Sequence, residues 1–190
     1  MKIVLASGSP RRRELLKMIG IEDFIVIPAK GDETVPPGLS PEQTVCDIAL
    51  QKAVSVSRSC GAGDVIIAAD TLVYLDEKPM AKPYDETDAA NMLRALSGRR
   101  HTVYTGVVLR RGEENIIGAE KTEVFFREIH NGEILDYIKT GEPMDKAGAY
   151  GAQGRGAVFI ERIEGDFFNV VGLPICRLSA MLKDFGVFLH

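Results

Sequence analysis

Four places in the chain carry charged or polar side chains that could bind a ligand. Three of them also contain glycines or prolines, as ligand-binding loops do. These are SGSPRR at residues 7–12, the single Lys52, the pair Asp70-Thr71 with Lys82-Pro83 after it, and DKAGAYGAQGRG at residues 145–156. The first two supply cations, the third adds a carboxylate and a further lysine, and the fourth supplies backbone amides and Gln153. Cations and a carboxylate together favour an anionic ligand that is bound with a metal ion or attacked by water.

The first segment lies where a strand is predicted to turn into a helix. Residues 3–6 are a short apolar run typical of a buried strand, and Ser9-Pro10 has the residue types that begin helices. A helix N-terminus offers free N–H groups to a phosphate, and Arg11 and Arg12 add further donors. The alternative is a capped helix with solvated arginines. A Walker A pattern is absent, which disfavours a P-loop enzyme.

Lys52 falls on the apolar face of a helix predicted over residues 40–57, seven positions after Val45. A lysine at such a position either extends its ammonium to the surface or directs it into a cleft. Its sequence position alone leaves both options open.

Asp70 comes directly after five small or apolar residues, 65–69, which predict a buried strand. An unpaired charge is costly to bury, so this carboxylate is expected to bind Mg²⁺ or to accept a proton from water. Capping of the adjacent turn is the alternative. Asp32 and Glu33, in the loop of residues 30–39, are a second source of carboxylates.

The fourth segment has four glycines in nine residues, which allow close approach of the backbone to a ligand. Gln153 offers a donor and an acceptor side by side, as recognition of a base edge requires. The segment fits a dinucleotide-binding GxGxxG motif poorly, because no strand precedes it in a βαβ unit. A mobile surface loop is the alternative.

The elements that must position these residues alternate between strand and helix in the first half of the chain. Apolar patterns predict strands over residues 3–6, 24–27, 65–69 with 72–75, 103–109, 116–126 and 158–163. Helices are predicted from Pro10 to Gly20 and over residues 40–57, 86–96, 133–140 and 175–182. The alternation followed by a late hairpin predicts an α/β fold with a mixed sheet.

Composition restricts the function further. The 190 residues are 45% apolar and 26% charged, and the net charge of −4 argues against nucleic acid or anionic lipid as partner. No apolar run is long enough for a signal peptide or a membrane span. Three widely spaced cysteines favour free thiols, and three scattered histidines disfavour a zinc site. The expected location is the cytoplasm.

The same segments resemble the motif series of Maf-type nucleoside triphosphate pyrophosphatases. The matching motifs are SGSPRR, AADT, AKP, TGEPMDKAGAYGAQG and NVVGLP, which run in this order from residue 7 to residue 174. The resemblance implies one domain over residues 1–190, with an elongated mixed β-sheet flanked by helices and two lobes around a central cleft. It also implies a Mg²⁺- or Mn²⁺-dependent enzyme that cleaves between the α and β phosphates.

The resemblance assigns roles to individual residues. Asp70 matches the proton acceptor, and with Glu33 it matches the metal ligands. The positions matching substrate-binding residues are Ser7, Arg11, Arg12, Lys52, Thr71, Lys82 and Gln153. DKAGAYG followed by Gln153-Gly154 is similar to the branch that acts on dTTP and UTP. A homodimer is compatible with this family, and a non-catalytic nucleotide-binding regulator linked to cell division is the alternative function.

Overall fold

The computed structural model describes residues 1–31 and 34–189. The strands are β1 (Ile3–Leu5), β2 (Phe24–Val26), β3 (Val65–Leu75), β4 (Lys78–Met80), β5 (Arg100–Arg111), β6 (Glu114–Phe126) and β7 (Ile160–Glu164). The helices are α1 (Pro10–Met18), α2 (Pro41–Ser57), α3 (Glu86–Leu96), α4 (Asn131–Ile138), α5 (Phe167–Val171) and α6 (Ile175–Asp184). Short 3₁₀ helices cover Glu142–Asp145, Ala147–Ala149 and Arg155–Phe159. Within the described residues, no helix combines the length and the apolarity needed to cross a bilayer.

The strands form one mixed seven-stranded sheet in the order β2-β1-β3-β5-β6-β7, with β4 paired to β3. β1 is parallel to both β2 and β3, whereas β3–β4 and β6–β7 are antiparallel pairs. This arrangement confirms the predicted mixed-sheet α/β fold. The chain divides into two compact units, and β3, β5 and β6 each contribute residues to both.

Unit 1 comprises Met1–Asp70, Thr105–Glu120 and Gly172–His190. Its core packs one face of α2 against β1, β3 and β5 through small and β-branched side chains. The buried members are Val4, Ala6, Ala49, Ala53, Val56, Ile66, Ala68 and Val108. Helix α2 begins with the predicted capping box, in which the Ser40 hydroxyl accepts from the Gln43 N–H and the Gln43 side chain accepts from the Ser40 N–H.

Unit 2 comprises Thr71–Tyr104 and Lys121–Val171. Its core packs α3 and α4 with aromatic side chains from the glycine-rich segment and the neighbouring strands. The buried residues with the largest side chains are Leu93, Leu96, Phe126, Ile134, Tyr137, Tyr150 and Phe159. Phe126 contacts both Tyr150, in the glycine-rich segment, and Phe159, three residues after it, which ties the segment into this core.

Two expectations about β3 need correction. The strand was expected over residues 65–69 with Asp70 at its end and residues 72–75 extended after it, but it runs without a break from Val65 to Leu75, so Asp70 lies inside an 11-residue strand. The strand then turns into β4, which the sequence did not predict. The turn residues Asp76 and Glu77 both have positive φ, at 50° and 63°. A two-residue hairpin requires such angles, but Asn-Gly is its usual sequence, so no turn was recognised here.

The predicted last strand is also displaced. It was expected over residues 158–163, but Arg155–Phe159 forms a 3₁₀ helix and β7 covers Ile160–Glu164. The side chain of Phe159 is buried in the core of unit 2. Its apolar character therefore reflects tertiary packing rather than strand periodicity.

Candidate functional site

An ion pair between α2 and β3 is the centre of the candidate site in unit 1. The Lys52 ammonium donates to Asp70 Oδ1 at 2.5 Å. The two side chains are only 17% and 11% exposed. Lys52 therefore does not extend to the surface, and Asp70 does not cap a turn, so both structural alternatives are wrong. Removing one member of such a pair leaves the other as a buried charge without its counter-ion, which is costly.

Lys52 reaches Asp70 because α2 lies very close to the sheet. A Cβ at Gly106 of β5 would lie 2.3 Å from the carbonyl oxygen of Val45, so any side chain there would push the helix away. Ala49 and Ala53, which flank Lys52 along α2, are fully buried and keep the same approach short. Small residues at this contact thus allow α2 to lie close enough to the sheet for Lys52 to reach Asp70.

Arg12 in α1 is held by two oxygen acceptors of unit 1. Its Nε donates to the Gly172 carbonyl at 2.8 Å, and its Nη1 donates to the Ser7 hydroxyl at 3.1 Å. Pro10 occupies the first turn of the helix as predicted, although Ser9 makes no side-chain cap. Arg12 is half-buried and oriented by these bonds, and its neighbour Arg11 is also half-buried.

The register of the sheet places Ser7 and Asp70 at the level of the carboxyl end of β1. Leu5 of β1 pairs with Ile67 of β3, so Ser7 and Asp70 lie two and three residues beyond a paired position. Both are buried, at 7% and 8% exposure. Unit 1 therefore assembles four of the predicted residues, Ser7, Arg12, Lys52 and Asp70.

Asp70 has one oxygen that could bind a cation. Its Oδ1 accepts from Lys52, whereas Oδ2 is buried and has no hydrogen-bond partner among the described residues. A buried carboxylate oxygen without a donor suits a hard cation such as Mg²⁺. The described residues contain no cluster of three His, Cys, Asp or Glu side chains. Glu33, the other predicted metal ligand, lies outside the described residues.

Three predicted residues belong to unit 2. Thr71 is half-buried in β3, directly after Asp70, and Lys82 is exposed between β4 and α3. The carbonyl of Ala81, next to Lys82, accepts from the Gly148 N–H at 3.2 Å. This bond joins the Lys82 segment to the glycine-rich segment. Gln153 is exposed in the turn that follows Gly151.

Glu142 is the main residue that the sequence analysis missed. One carboxylate oxygen accepts from the Tyr137 hydroxyl at 2.8 Å and from the Gly156 N–H at 3.2 Å. The other accepts from the Arg155 N–H at 2.9 Å. In the sequence, Glu142 is only one residue of the TGEPMDKAGAYGAQG motif. The signal for its role was the set of glycines that follow it, because glycines permit the backbone to fold closely around a side chain.

The surroundings of Glu142 favour its ionised form. Burial raises the pKa of its carboxyl, but the Arg155 N–H, the Tyr137 hydroxyl and the Gly156 N–H together bring the pKa below its usual value. Burial, with the Glu142 carboxylate as a further cause, raises the pKa of Tyr137, which therefore stays a neutral donor.

A second buried polar pair lies in the core of unit 2. His101 Nε2 and the Tyr150 hydroxyl are 2.8 Å apart, and the Nδ1 of His101 has no partner among the described residues. Burial lowers the pKa of His101 from 6.5 to about 4. The imidazole is therefore neutral at physiological pH, and it contacts the rings of Phe126 and Tyr150.

Solved structures share this α/β fold. The Ham1 protein of Staphylococcus aureus matches with a TM-score of 0.58 at 17% identity, over 97% of this chain and 100% of that one. A HAM1 protein from Coxiella burnetii matches with a TM-score of 0.55 at 16% identity, over 97% and 99%. At these identities the likeness describes the fold.

Sequence comparison is more specific. The family described as Maf-like protein matches residues 2–185, and the chain belongs to the Maf family. A relative from Caldicellulosiruptor saccharolyticus, named dTTP/UTP pyrophosphatase, is 45% identical, covering 97% of this chain and 95% of its own. Proteins of the same name from Aquifex aeolicus and Pelotomaculum thermopropionicum are 47% and 49% identical, each over 97% of its own length.

Proposed function

We propose that this protein is a nucleoside triphosphate pyrophosphatase that hydrolyses dTTP and UTP to the monophosphate and pyrophosphate. The proposal is supported by the names of relatives that are 45% to 49% identical over nearly the whole chain. The single structural observation that carries it is the buried Lys52–Asp70 pair with one carboxylate oxygen left without a donor. A buried carboxylate oxygen without a donor is costly, and a bound cation or water would remove that cost.

The cations of unit 1 bind the triphosphate in this proposal. Arg12 is oriented by Gly172 and Ser7, so its guanidinium is preorganised and loses little freedom on binding. Arg11 on the same helix turn adds a second guanidinium, and Lys52 contributes an ammonium. These charges offset the negative charge of the phosphates locally, which the net charge of −4 would otherwise repel.

Asp70 orients the attacking water and accepts its proton. The ion pair with Lys52 fixes the carboxylate, so Oδ2 keeps a constant direction. Asp70 and Glu33 are the residues that would hold a divalent cation, Mg²⁺ or Mn²⁺. When bound, that cation supplies charge stabilisation at the phosphoryl oxygens and acidifies water.

In unit 2, Gln153 is the proposed reader of the base, with Thr71 and Lys82 as further substrate contacts. Uracil and thymine present two carbonyl acceptors and one N–H donor, and a single amide side chain can match both polarities. Guanine presents a different order and a larger ring. A purine in the site would leave at least one polar group of the protein without a partner. We therefore expect kcat/KM for dTTP and UTP to exceed that for GTP and ATP by at least about tenfold.

The decisive experiment incubates the pure protein with dTTP and Mg²⁺ and identifies the products. Equal amounts of dTMP and pyrophosphate are expected, with Asp70→Asn as the inactive control. Binding of dTTP without pyrophosphate release would instead establish the regulator. Release of orthophosphate would indicate cleavage at the γ position and would refute the proposed reaction.

Three broader assignments belong to the same proposal. The family match over residues 2–185 runs through both units, which supports their acting as one domain over residues 1–190. The three cysteines are free, which supports a reducing compartment such as the cytoplasm. The proposed partner is the nucleotide, and neither a nucleic acid nor a membrane is proposed; a homodimer is testable by sedimentation.

A further inference from the structure

The carboxylate of Glu142 lies at the centre of the loop that carries Gln153. It accepts from the N–H groups of Arg155 and Gly156, and from Tyr137, whose hydroxyl also accepts from the Gly151 N–H at 3.1 Å. The two ends of the segment 151–156 are therefore held by one pair of side chains. A carboxylate with several N–H and O–H donors is a strong anchor, because charge-assisted hydrogen bonds are the strong ones.

The glycines of this loop leave the space that the Glu142 and Tyr137 side chains occupy. A Cβ at Gly154 would lie 2.4 Å from Glu142 Oε1, and one at Gly151 would lie 3.0 Å from it. A Cβ at Gly156 would lie 2.6 Å from the Tyr137 hydroxyl. Gly154 has φ of −140°, which any residue adopts, so the steric demand of Glu142 rather than the backbone angle explains this glycine.

We propose that Glu142 is a positioning residue that holds the 151–156 loop in the conformation from which Gln153 selects the base of the nucleotide. This inference rests on the proposed function and extends it to Glu142, which is not among the predicted substrate-binding residues. Gln153 is exposed and lies between the two anchored ends of the loop. Its direction is set by the backbone, and without the anchor a chain with three glycines in six residues samples many conformations.

The primary test is Glu142→Gln, which keeps the size of the side chain but turns one oxygen into a donor. That donor faces an N–H or O–H group that now lacks an acceptor. The kcat/KM ratio of dTTP to GTP is expected to fall roughly fivefold or more, on the scale of one lost polar contact. Tyr137→Phe removes one donor to Glu142 and the acceptor of the Gly151 N–H. It leaves both N–H bonds to Glu142 in place, so it is expected to lower the ratio less.

Glu133→Gln is the matched control. Glu133 also lies in unit 2, also binds a backbone N–H, that of His130, and also pairs with a side chain, Arg127. It holds no part of the 151–156 loop. Its variant is expected to lower thermal stability while the ratio of dTTP to GTP stays as in the unmodified protein. A merely structural role for Glu142 would give this same pattern.

A double variant connects the two residues. If Glu142 acts through Gln153, then Glu142→Gln changes the ratio in the unmodified protein but hardly changes it in the Gln153→Ala background. Equal changes in both backgrounds, or an unchanged ratio in Glu142→Gln, would overturn the inference. Absence of hydrolysis in the unmodified protein would refute the proposed function instead. In that case, amide exchange at Arg155 and Gly156 tests the anchor, which predicts faster exchange in Glu142→Gln than in Glu133→Gln.

Discussion

The two units hold their polar groups in opposite ways. In unit 1, Lys52 and Asp70 project from a 17-residue helix and an 11-residue strand, and they neutralise each other inside the fold. In unit 2, Gln153 lies in an irregular turn, is exposed, and depends on Glu142 for the shape of its backbone. The first arrangement is set by packing between regular elements, the second by hydrogen bonds to a single side chain.

This difference matches the tasks proposed for the two regions. Groups that transfer protons must stay within a few tenths of an ångström, and regular elements provide that precision. A group that reads a base must reach out to a ligand, and loops provide that access. The comparison predicts that changes in unit 1 act on turnover and stability, whereas changes in the unit 2 loop act on the choice of substrate.

The largest effect is expected from Asp70→Asn. The amide keeps the size of the carboxylate but cannot accept the proton, so kcat with dTTP should fall by at least ~10²-fold, the usual scale for a general base. Nucleotide affinity should change only a few-fold. Steady-state kinetics and equilibrium binding of dTTP measure the two quantities. Near-normal kcat would remove Asp70 from the mechanism and break the comparison.

Lys52→Met should act on stability as well as on turnover. Methionine fits the apolar face of α2, but Asp70 is left as a buried charge without its counter-ion, which should lower the free energy of unfolding by about 3 kcal/mol. Urea denaturation of the variant checks this. The double variant Lys52→Met with Asp70→Asn should regain most of the loss. If it is no more stable than Lys52→Met alone, the ion pair does not hold the two elements together.

A pH titration of stability tests the neutral His101–Tyr150 pair of unit 2. The pKa of His101 is lowered to about 4, whereas the unfolded chain titrates near 6.5. The unfolded state therefore binds more protons, and stability is complete above pH 6.5 and decreases as the pH falls towards 4. At pH 5 the loss should reach about 2 kcal/mol, or roughly 30-fold in the folding equilibrium.

Urea denaturation at several pH values measures this slope. The variant His101→Phe should abolish the slope. Carboxylates with a lowered pKa, such as Glu142, contribute to the pH dependence of stability only at lower pH, near and below 4.5. A slope that persists between pH 6.5 and 5 in His101→Phe would show that another group is responsible.

The smallest effect is expected from Gln153→Ala. The dTTP to GTP ratio of kcat/KM should shrink roughly fivefold or more, because one polar contact to the base is lost. Turnover of dTTP should fall by less than this. The free energy of unfolding should stay within about 0.5 kcal/mol, as for other exposed positions. Equal losses for both nucleotides would mean that Gln153 does not read the base.

Much of the fold follows from local sequence signals. The capping residues Ser40 and Gln43 and the apolar run of β1 predict their elements correctly, because both signals act over a few residues. The hairpin at Asp76 and Glu77 could not be predicted, since these residues are unusual at positive φ and only the paired strands hold them there. The strand predicted over residues 158–163 began too early for the same reason, because the burial of Phe159 depends on contacts distant in sequence.

The candidate site was predictable where a residue type is unusual for its surroundings. Asp70 stands out because it ends an apolar run, and Lys52 because it lies on an apolar helix face. Their direct contact was not predictable, since it depends on how closely α2 approaches β5 at Gly106. Glu142 was missed because a glutamate before a proline looks like any solvated turn residue, and its donors are 13 and 14 residues further along the chain.

The bond between Arg12 and the Gly172 carbonyl joins residues 160 positions apart in the chain. During synthesis, Arg12 leaves the ribosome long before its acceptor exists, and the strand β3 that carries Asp70 is complete well before that point. A nascent chain therefore contains both Lys52 and Asp70 before the acceptor that orients Arg12 has been made. We expect Arg12 to be oriented by this bond only after residue 172 has emerged.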